Sequence, residues 1–194
     1  MQVPTVVLAS GSPRRRELLA GLGVRFVVDV PDVDERPLVG EDPAAMVLRL
    51  ARAKAAAVAA RHRGADAALV IAADTTVVID GEMLGKPNDE AEAAAFVARL
   101  SGRTHEVHTG HALRRGEREV AELRTTRVRF RALDADEMRA YAATGEGLDK
   151  AGGYAIQGRG AALVDAIDGC YGTVVGLSLP LVVVAARTLG VRLA

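Results

Sequence analysis

A short segment near the start of the chain combines hydroxyl, glycine and guanidinium groups. Residues 8–18 have the sequence LASGSPRRREL, in which Pro13 suits the first position of a helix. Free backbone N–H groups at a helix start, together with the positive end of the helix dipole, favour anions. Ser10, Arg14 and Arg15 would add donors at the same place. The segment therefore predicts a phosphate site, although a capped surface helix with solvated arginines would have the same pattern.

Two charged residues in the middle of the chain are also candidates for chemistry. Asp74 follows the apolar run ALVIAA, and a carboxylate at the end of a buried strand needs a cation, a hydrogen-bond donor or a cleft. Such a carboxylate could accept a proton from water or hold a divalent cation. The alternative is an aspartate that caps its own turn. Lys86, in the string LGKP, is held extended by the proline that follows it, so its ammonium can be aimed at a ligand or simply be solvated.

The third segment of interest is rich in glycine. Residues 148–160 have the sequence LDKAGGYAIQGRG, and its glycines allow the backbone to pass close to a ligand. Lys150, Tyr154 and Gln157 supply polar contacts. The glutamine amide both donates and accepts, which matches the edge of a pyrimidine base. A glycine-rich connection between two elements is the alternative.

Composition limits the class of protein. The chain has 194 residues, 49% of them hydrophobic, and its 25 basic residues balance 25 acidic ones, so no broad nucleic-acid-binding surface is expected. No segment has the pattern of a signal peptide or the ~20 apolar residues of a membrane span, which predicts a cytoplasmic protein without a membrane partner. A single cysteine, Cys170, excludes an internal disulfide. The spacing of the four histidines does not predict a zinc site.

Predicted strands and helices alternate along the chain without a Pro-, Gly- or Ser-rich linker, which indicates one folding unit over residues 1–194. The class is mixed α/β. The predicted helices span residues 14–22, 44–61, 87–100, 134–141 and 177–189. The predicted strands span residues 6–8, 26–30, 68–73 continued by 76–79, 106–113, 119–130 and 161–167, with an antiparallel pair around residues 115 and 116.

Taken together, four segments resemble the Maf family of nucleoside triphosphate pyrophosphatases. LASGSPRRREL is similar to the family's N-terminal S-x-S-P-R-R signature, AADTTVV to its A-D-T string, LGKP to its lysine turn and DKAGGYAIQG to its C-terminal glycine-rich motif. The order and spacing match over nearly the whole chain. The combination of Arg14, Thr75 and Gln157 is similar to the branch that hydrolyses dTTP and UTP, whereas the branch acting on 7-methyl-GTP has a serine-containing C-terminal string.

The resemblance implies an elongated α/β molecule, with a mixed twisted sheet, flanking helices and two lobes around a cleft, related to inosine triphosphate pyrophosphatases. It also implies cleavage of a nucleoside triphosphate between the α and β phosphates with Mg²⁺ or Mn²⁺. Asp74 would be the general base, and Glu35 with Asp74 would be candidate metal ligands. The residues expected to bind substrate are Ser10, Arg14, Arg15, Lys54, Thr75, Lys86, Lys150 and Gln157.

Other functions are compatible with the same residues. Proteins of this family have been linked to arrest of septum formation, so a regulatory protein acting through a division-related partner is the alternative to the enzyme. The enzyme would remove pyrimidine triphosphates, modified ones included, and a homodimer is compatible with either function. A phosphotransferase is disfavoured because the pattern G-x-x-x-x-G-K-[ST] is absent from the sequence.

Overall fold

The structure, a computed structural model, describes residues 5–62 and 68–193. The strands in these residues are β1 (Val6–Leu8), β2 (Phe26–Val28), β3 (Leu69–Ile79), β4 (Glu82–Leu84), β5 (Thr104–Arg115), β6 (Arg118–Phe130) and β7 (Val164–Asp168). The helices are α1 (Pro13–Ala20), α2 (Pro43–Ala59), α3 (Glu90–Leu100), α4 (Ala135–Ala142), α5 (Tyr171–Val175) and α6 (Leu179–Thr188).

The described strands form one mixed sheet with the order β2-β1-β3-β5-β6-β7, and β4 pairs with β3. β1 runs parallel to both β2 and β3, whereas β4 is antiparallel to β3 and β7 is antiparallel to β6. The two-residue connection between β5 and β6 requires an antiparallel pair, as predicted. The predicted mixed α/β class, with a sheet flanked by helices, is confirmed.

Side-chain alternation along β3 explains which helix covers each face of the sheet. Leu69 and Ile71 pack in a core cluster with residues of α1 and α6, whereas Val70 and Ala72 pack with residues of α2. Successive side chains of a strand point to opposite faces, so Asp74 shares the face of Val70 and Ala72. The α2 residues on that face are Ala51, Ala55 and Val58. Strand periodicity therefore directs Asp74 toward α2.

Helix α2 lies very close to strand β5. A Cβ atom built on Gly110 would overlap the carbonyl oxygen of Val47, so the helix backbone rests against the strand backbone at this point. Only glycine allows such an approach. Val47 and Ala51, one turn later, are fully buried, which continues the contact along the same helix. This approach sets the height of α2 above the sheet.

The structure corrects two predictions about the elements. Asp74 does not end a strand. It lies inside β3, an unbroken strand of 11 residues that continues through the β-branched Thr75 and Thr76. The strand predicted at residues 161–167 begins only at Val164, since the preceding glycine-rich residues Gly158–Leu163 form a 3₁₀ helix. The short helix α5 was not predicted.

The chain divides into two compact units. The first comprises the described residues up to Asp74, Thr109–Arg124 and the described residues from Gly176 onward, and the second comprises Thr75–His108 and Thr125–Val175. The prediction of a single domain over residues 1–194 stays a prediction, as does the cleft. Within the described ranges, no helix has the length and apolar character needed to cross a membrane.

Candidate functional site

The turn before α1 is built from side-chain to backbone hydrogen bonds. Ser12 is the N-cap residue, and its hydroxyl accepts from the backbone N–H of Arg15 at 3.5 Å, while Pro13 occupies the first helical position as predicted. Ser10 is only 6% exposed, and its Oγ accepts from the backbone N–H of Ser12 at 3.2 Å. The predicted strand–turn–helix arrangement is therefore present, with the serine hydroxyls inside the turn.

The side chain of Arg15 contacts this turn. Its Nη1 lies 3.3 Å from Ser10 Oγ, and its Nε donates to the carbonyl oxygen of Gly176 at 2.8 Å. Burial lowers the pKa of the Arg15 guanidinium, whereas the nearby negative charges of Asp74 and Glu35 raise it. The guanidinium stays charged because arginine does not lose its proton in proteins. The first unit thus holds a fixed positive charge close to Asp74.

Lys54 connects the two predicted metal ligands. This lysine is 6% exposed, and its Nζ lies 2.6 Å from Asp74 Oδ1 and 2.9 Å from Glu35 Oε1. Helix α2 places Lys54 on the face that covers Val70 and Ala72, which is the face that Asp74 shares. The Asp74 side chain is 12% exposed, while that of Glu35 is 58% exposed. A buried carboxylate is thereby compensated by a buried ammonium, as burial of charge requires.

Glu35 lies in an extended loop that is attached to α2. Arg49, five residues before Lys54, makes a bidentate ion pair with Glu41. Its Nε donates to Glu41 Oε1 at 2.5 Å, and its Nη2 donates to Oε2 at 2.7 Å. Its Nη2 also donates to the carbonyl oxygen of Arg36 at 3.3 Å. The pair with Arg49 lowers the pKa of Glu41 to about 2, so Glu41 remains ionised near neutral pH. Arg49 therefore ties the residues that follow Glu35 in this loop to the helix that carries Lys54.

Of the predicted site residues, six belong to the first unit: Ser10, Arg14, Arg15, Glu35, Lys54 and Asp74. The other four belong to the second unit. Thr75 follows Asp74 in β3, Lys86 is exposed, and Gln157 is partly buried just before the 3₁₀ helix. The Lys150 Nζ donates to the carbonyl oxygen of Glu146 at 2.5 Å and pairs with Asp149, so this ammonium already has local acceptors.

The segment Gly176–Ser178 was not among the residues predicted for the site. This segment supplies the carbonyl that holds Arg15, and the Ser178 backbone N–H donates to His111 Nε2 at 2.8 Å. Burial lowers the pKa of His111 to about 4, which keeps the ring neutral and able to accept. Arg15 and Gly176 are 161 residues apart in the chain, so no local pattern could reveal their contact.

The donor set around Lys54 is compatible with a divalent cation. Mg²⁺ prefers oxygen ligands and is usually held by one or two carboxylates together with phosphate oxygens and water. Oxygens of Glu35 and Asp74 already converge on one positive group, so the position favours positive charge. Within residues 5–62 and 68–193, no group of three or more His, Cys, Asp or Glu side chains could hold a metal ion. A cation here would therefore need further oxygens, such as those of a bound phosphate.

Over most of its length the chain is similar to known proteins. A dTTP/UTP pyrophosphatase from Myxococcus xanthus is 57% identical over 174 residues, which cover 90% of this chain and 87% of the relative. The dTTP/UTP pyrophosphatase of Deinococcus radiodurans is 50% identical over 188 residues, covering 97% of this chain and 94% of the relative. The model of the Maf-like protein family matches residues 5–189. The chain therefore belongs to the Maf-like protein family.

Proposed function

We propose that this protein hydrolyses dTTP and UTP to the nucleoside monophosphate and pyrophosphate. The proposal is supported by relatives named for this activity that match 90% or more of the chain. The observation that carries it is the position of Asp74, a buried carboxylate whose charge is compensated by Lys54 in the unit that also contains Arg15. Water activation and neutralisation of phosphate charge are the two requirements of the reaction.

The residues of the first unit would perform both parts of the chemistry. Asp74 would accept a proton from the attacking water, and Arg14 and Arg15 would neutralise charge that develops on the departing pyrophosphate. Ser10 and the backbone N–H groups at the start of α1 would hold a phosphate. Because the Arg15 guanidinium is anchored on Gly176 and Ser10, it is oriented before substrate arrives. Such preorganisation is what makes charge stabilisation effective in a site.

A divalent cation is part of the proposal, with Glu35 and Asp74 as its protein ligands. When bound, it would polarise a phosphate oxygen and neutralise charge on the triphosphate. In the structure, the Lys54 ammonium contacts both carboxylates, so cation and ammonium would have to share these oxygens. Lys54 would then be released toward a phosphate oxygen, which reconciles its ion pair with its predicted role in substrate binding.

The test of the activity is a panel of nucleotides with identification of the products. Release of monophosphate and pyrophosphate from dTTP and UTP would support the proposal, whereas release of diphosphate and inorganic phosphate would refute cleavage at the α–β bond. The same panel tests the finer part of the proposal, hydrolysis of modified pyrimidine nucleotides. Recognition through N3–H and a ring carbonyl does not use carbon 5, so triphosphates modified at that carbon should also be hydrolysed.

Gln157 is proposed to recognise the base. Its side-chain oxygen would accept from N3–H while its NH₂ donates to a ring carbonyl, a pairing available in thymine and uracil but not in cytosine. A mismatched buried polar group costs several kcal/mol, so we expect kcat/KM for dTTP and UTP to exceed that for CTP by at least ~10-fold. Gln157→Glu should reduce hydrolysis of dTTP and UTP because the carboxylate removes the donor. An unchanged ranking of dTTP, UTP, CTP and GTP in this variant would place Gln157 outside the base-binding residues.

Arg14→Ala and Lys86→Ala should each weaken triphosphate binding or turnover. Loss of one charged hydrogen bond to phosphate is expected to cost about 1.5–3 kcal/mol, measured from kcat/KM for dTTP. The matched control is Arg114→Ala. Arg114 lies in β5, contacts Glu117 and the Gly116 carbonyl, and is outside the predicted site. Equal small effects in all three variants would favour the alternative of a solvated surface helix.

A further inference from the structure

Tyr141, in the last turn of α4, and Glu146, in the connection after that helix, hold the backbone on both sides of Gln157. The Ala155 backbone N–H donates to the Tyr141 hydroxyl at 3.0 Å. The Arg159 N–H donates to Glu146 Oε1 at 3.1 Å, and the Gly160 N–H donates to Glu146 Oε2 at 2.9 Å. All these residues belong to the second unit. Three amides that flank Gln157 are thus bound by only two side chains.

The Tyr141 hydroxyl lies in the electric field of Glu146. Burial raises the pKa of this hydroxyl, the Ala155 amide lowers it, and the negative charge of the Glu146 carboxylate raises it further. The hydroxyl is therefore protonated near neutral pH, and its oxygen accepts from the Ala155 N–H. We call Tyr141 and Glu146 together the loop clamp.

The geometry of the loop depends on a glycine at position 158. Gly158 has φ +59°, and a Cβ atom built there would overlap Glu146 Oε1. The backbone after Gln157 therefore passes directly against the carboxylate, in a conformation that side-chain-bearing residues rarely adopt. The loop clamp and Gly158 together restrict the conformation of the backbone that carries Gln157.

We infer that Tyr141 and Glu146 are positioning residues that preorganise Gln157 for binding of the pyrimidine base. The inference rests on the proposed function, because it gives the loop clamp a role in binding the pyrimidine of the same nucleotide substrate. Without the loop clamp, the loop would become ordered only when the nucleotide binds. The loss of conformational entropy would then weaken binding of the base. Ligands that contain only phosphate would bind as before.

The chain provides a matched control in Tyr154. This tyrosine is also buried, at 4% exposure against 5% for Tyr141. It lies in the glycine-rich segment that contains Gln157. Its hydroxyl, which the sequence offered as a polar contact for a ligand, is instead buried 2.8 Å from His105 Nε2 and does not contact loop backbone. Its ring packs edge-on against Phe130. Tyr141→Phe and Tyr154→Phe therefore each remove one buried hydroxyl, but only the former removes a bond to the loop.

The experiment compares dTMP, which carries the base, with pyrophosphate, which does not. Binding of both ligands is measured directly by calorimetry and as inhibition of dTTP hydrolysis. Tyr141→Phe should raise the dissociation constant of dTMP and the KM for dTTP about 5-fold, since one hydrogen bond of about average strength is lost. The constant for pyrophosphate should not change, and kcat should be preserved. Tyr154→Phe should change none of these constants.

Three outcomes would overturn the inference: equal weakening of dTMP and pyrophosphate, equal weakening of dTMP in both tyrosine variants, or no dTMP binding by the parent protein. If Tyr141→Phe does not fold, Glu146→Gln replaces it, because this nearly isosteric change puts an NH₂ group against a backbone N–H. Its dTMP constant should also rise while that of pyrophosphate stays unchanged. Absence of dTTP and UTP hydrolysis by the parent would instead refute the proposed function.

Discussion

Asp74→Asn is expected to lower kcat for dTTP on the order of 10²–10⁴-fold, the usual contribution of a general base, while leaving the fold intact. Asparagine is nearly isosteric with aspartate, and its carbonyl oxygen can still accept from the Lys54 ammonium, which lies 2.6 Å from Oδ1 in the parent protein. The amide cannot take a proton from water. The measurement is steady-state hydrolysis of dTTP, together with calorimetric binding of dTMP, which should be preserved.

Asp80→Asn is the matched control for this substitution. Asp80 follows the same strand, its side chain is 58% exposed, and it pairs with Arg103 rather than with a buried group. Asparagine also tolerates the positive φ of 54° at this position. Hydrolysis by Asp74→Asn within about threefold of the parent rate would show that a metal-bound water or another group supplies the nucleophile.

Lys54→Met should be the most destabilising of these substitutions. It removes the ammonium from a pair in which the Asp74 side chain is 12% exposed, and breaking a buried pair in this way typically costs about 3–5 kcal/mol. Glu35 contributes little to this cost, because its side chain is 58% exposed and can be hydrated. The measurement is the urea midpoint of unfolding at constant m value. Hydrolysis of dTTP should fall as well, since Lys54 is proposed to bind phosphate.

The double variant Lys54→Met/Asp74→Asn separates charge from packing. Without a carboxylate at position 74, no uncompensated buried charge remains, so part of the lost stability should return although activity does not. Lys86→Met is the control for loss of a lysine in general. Lys86 is exposed, and its replacement should change the free energy of unfolding by about 0.5 kcal/mol or less while lowering activity. Parent-like stability of Lys54→Met would show that the ion pair contributes nothing to folding.

The features that could be predicted from the sequence are those encoded locally. Pro13 after Ser12 predicts the start of α1. The helix predicted at residues 87–100 begins at Glu90, and the N-cap residue Asp89 accepts from the backbone N–H of Glu92. Both elements begin where these residues require, because capping is a property of adjacent residues. The apolar run before Asp74 predicts a buried strand for the same reason. The break that was expected at Asp74 is absent, because the buried carboxylate is compensated by Lys54, which lies 20 residues earlier in the chain.

The features that could not be predicted depend on contacts between distant segments. Neither the anchoring of Arg15 by Gly176 nor the interaction of Tyr141 with Ala155 has a local pattern, because each joins elements that only the folded chain brings together. The convergence of Lys54 on both carboxylates is of the same kind. The individual site roles, the divalent cation, a homodimer, a division-related partner and the cytoplasmic location stay predictions.

The close approach at Gly110 constrains how far the sequence can drift without loss of function. Gly110 is not among the proposed site residues, yet any side chain there would displace the carbonyl of Val47 and, with it, the helix that carries Lys54. A shift of only 1 Å in a group that supports a site can lower activity on the order of 10²-fold. In a map of mutational tolerance, position 110 would therefore resemble a catalytic residue, although what it contributes is the absence of a side chain.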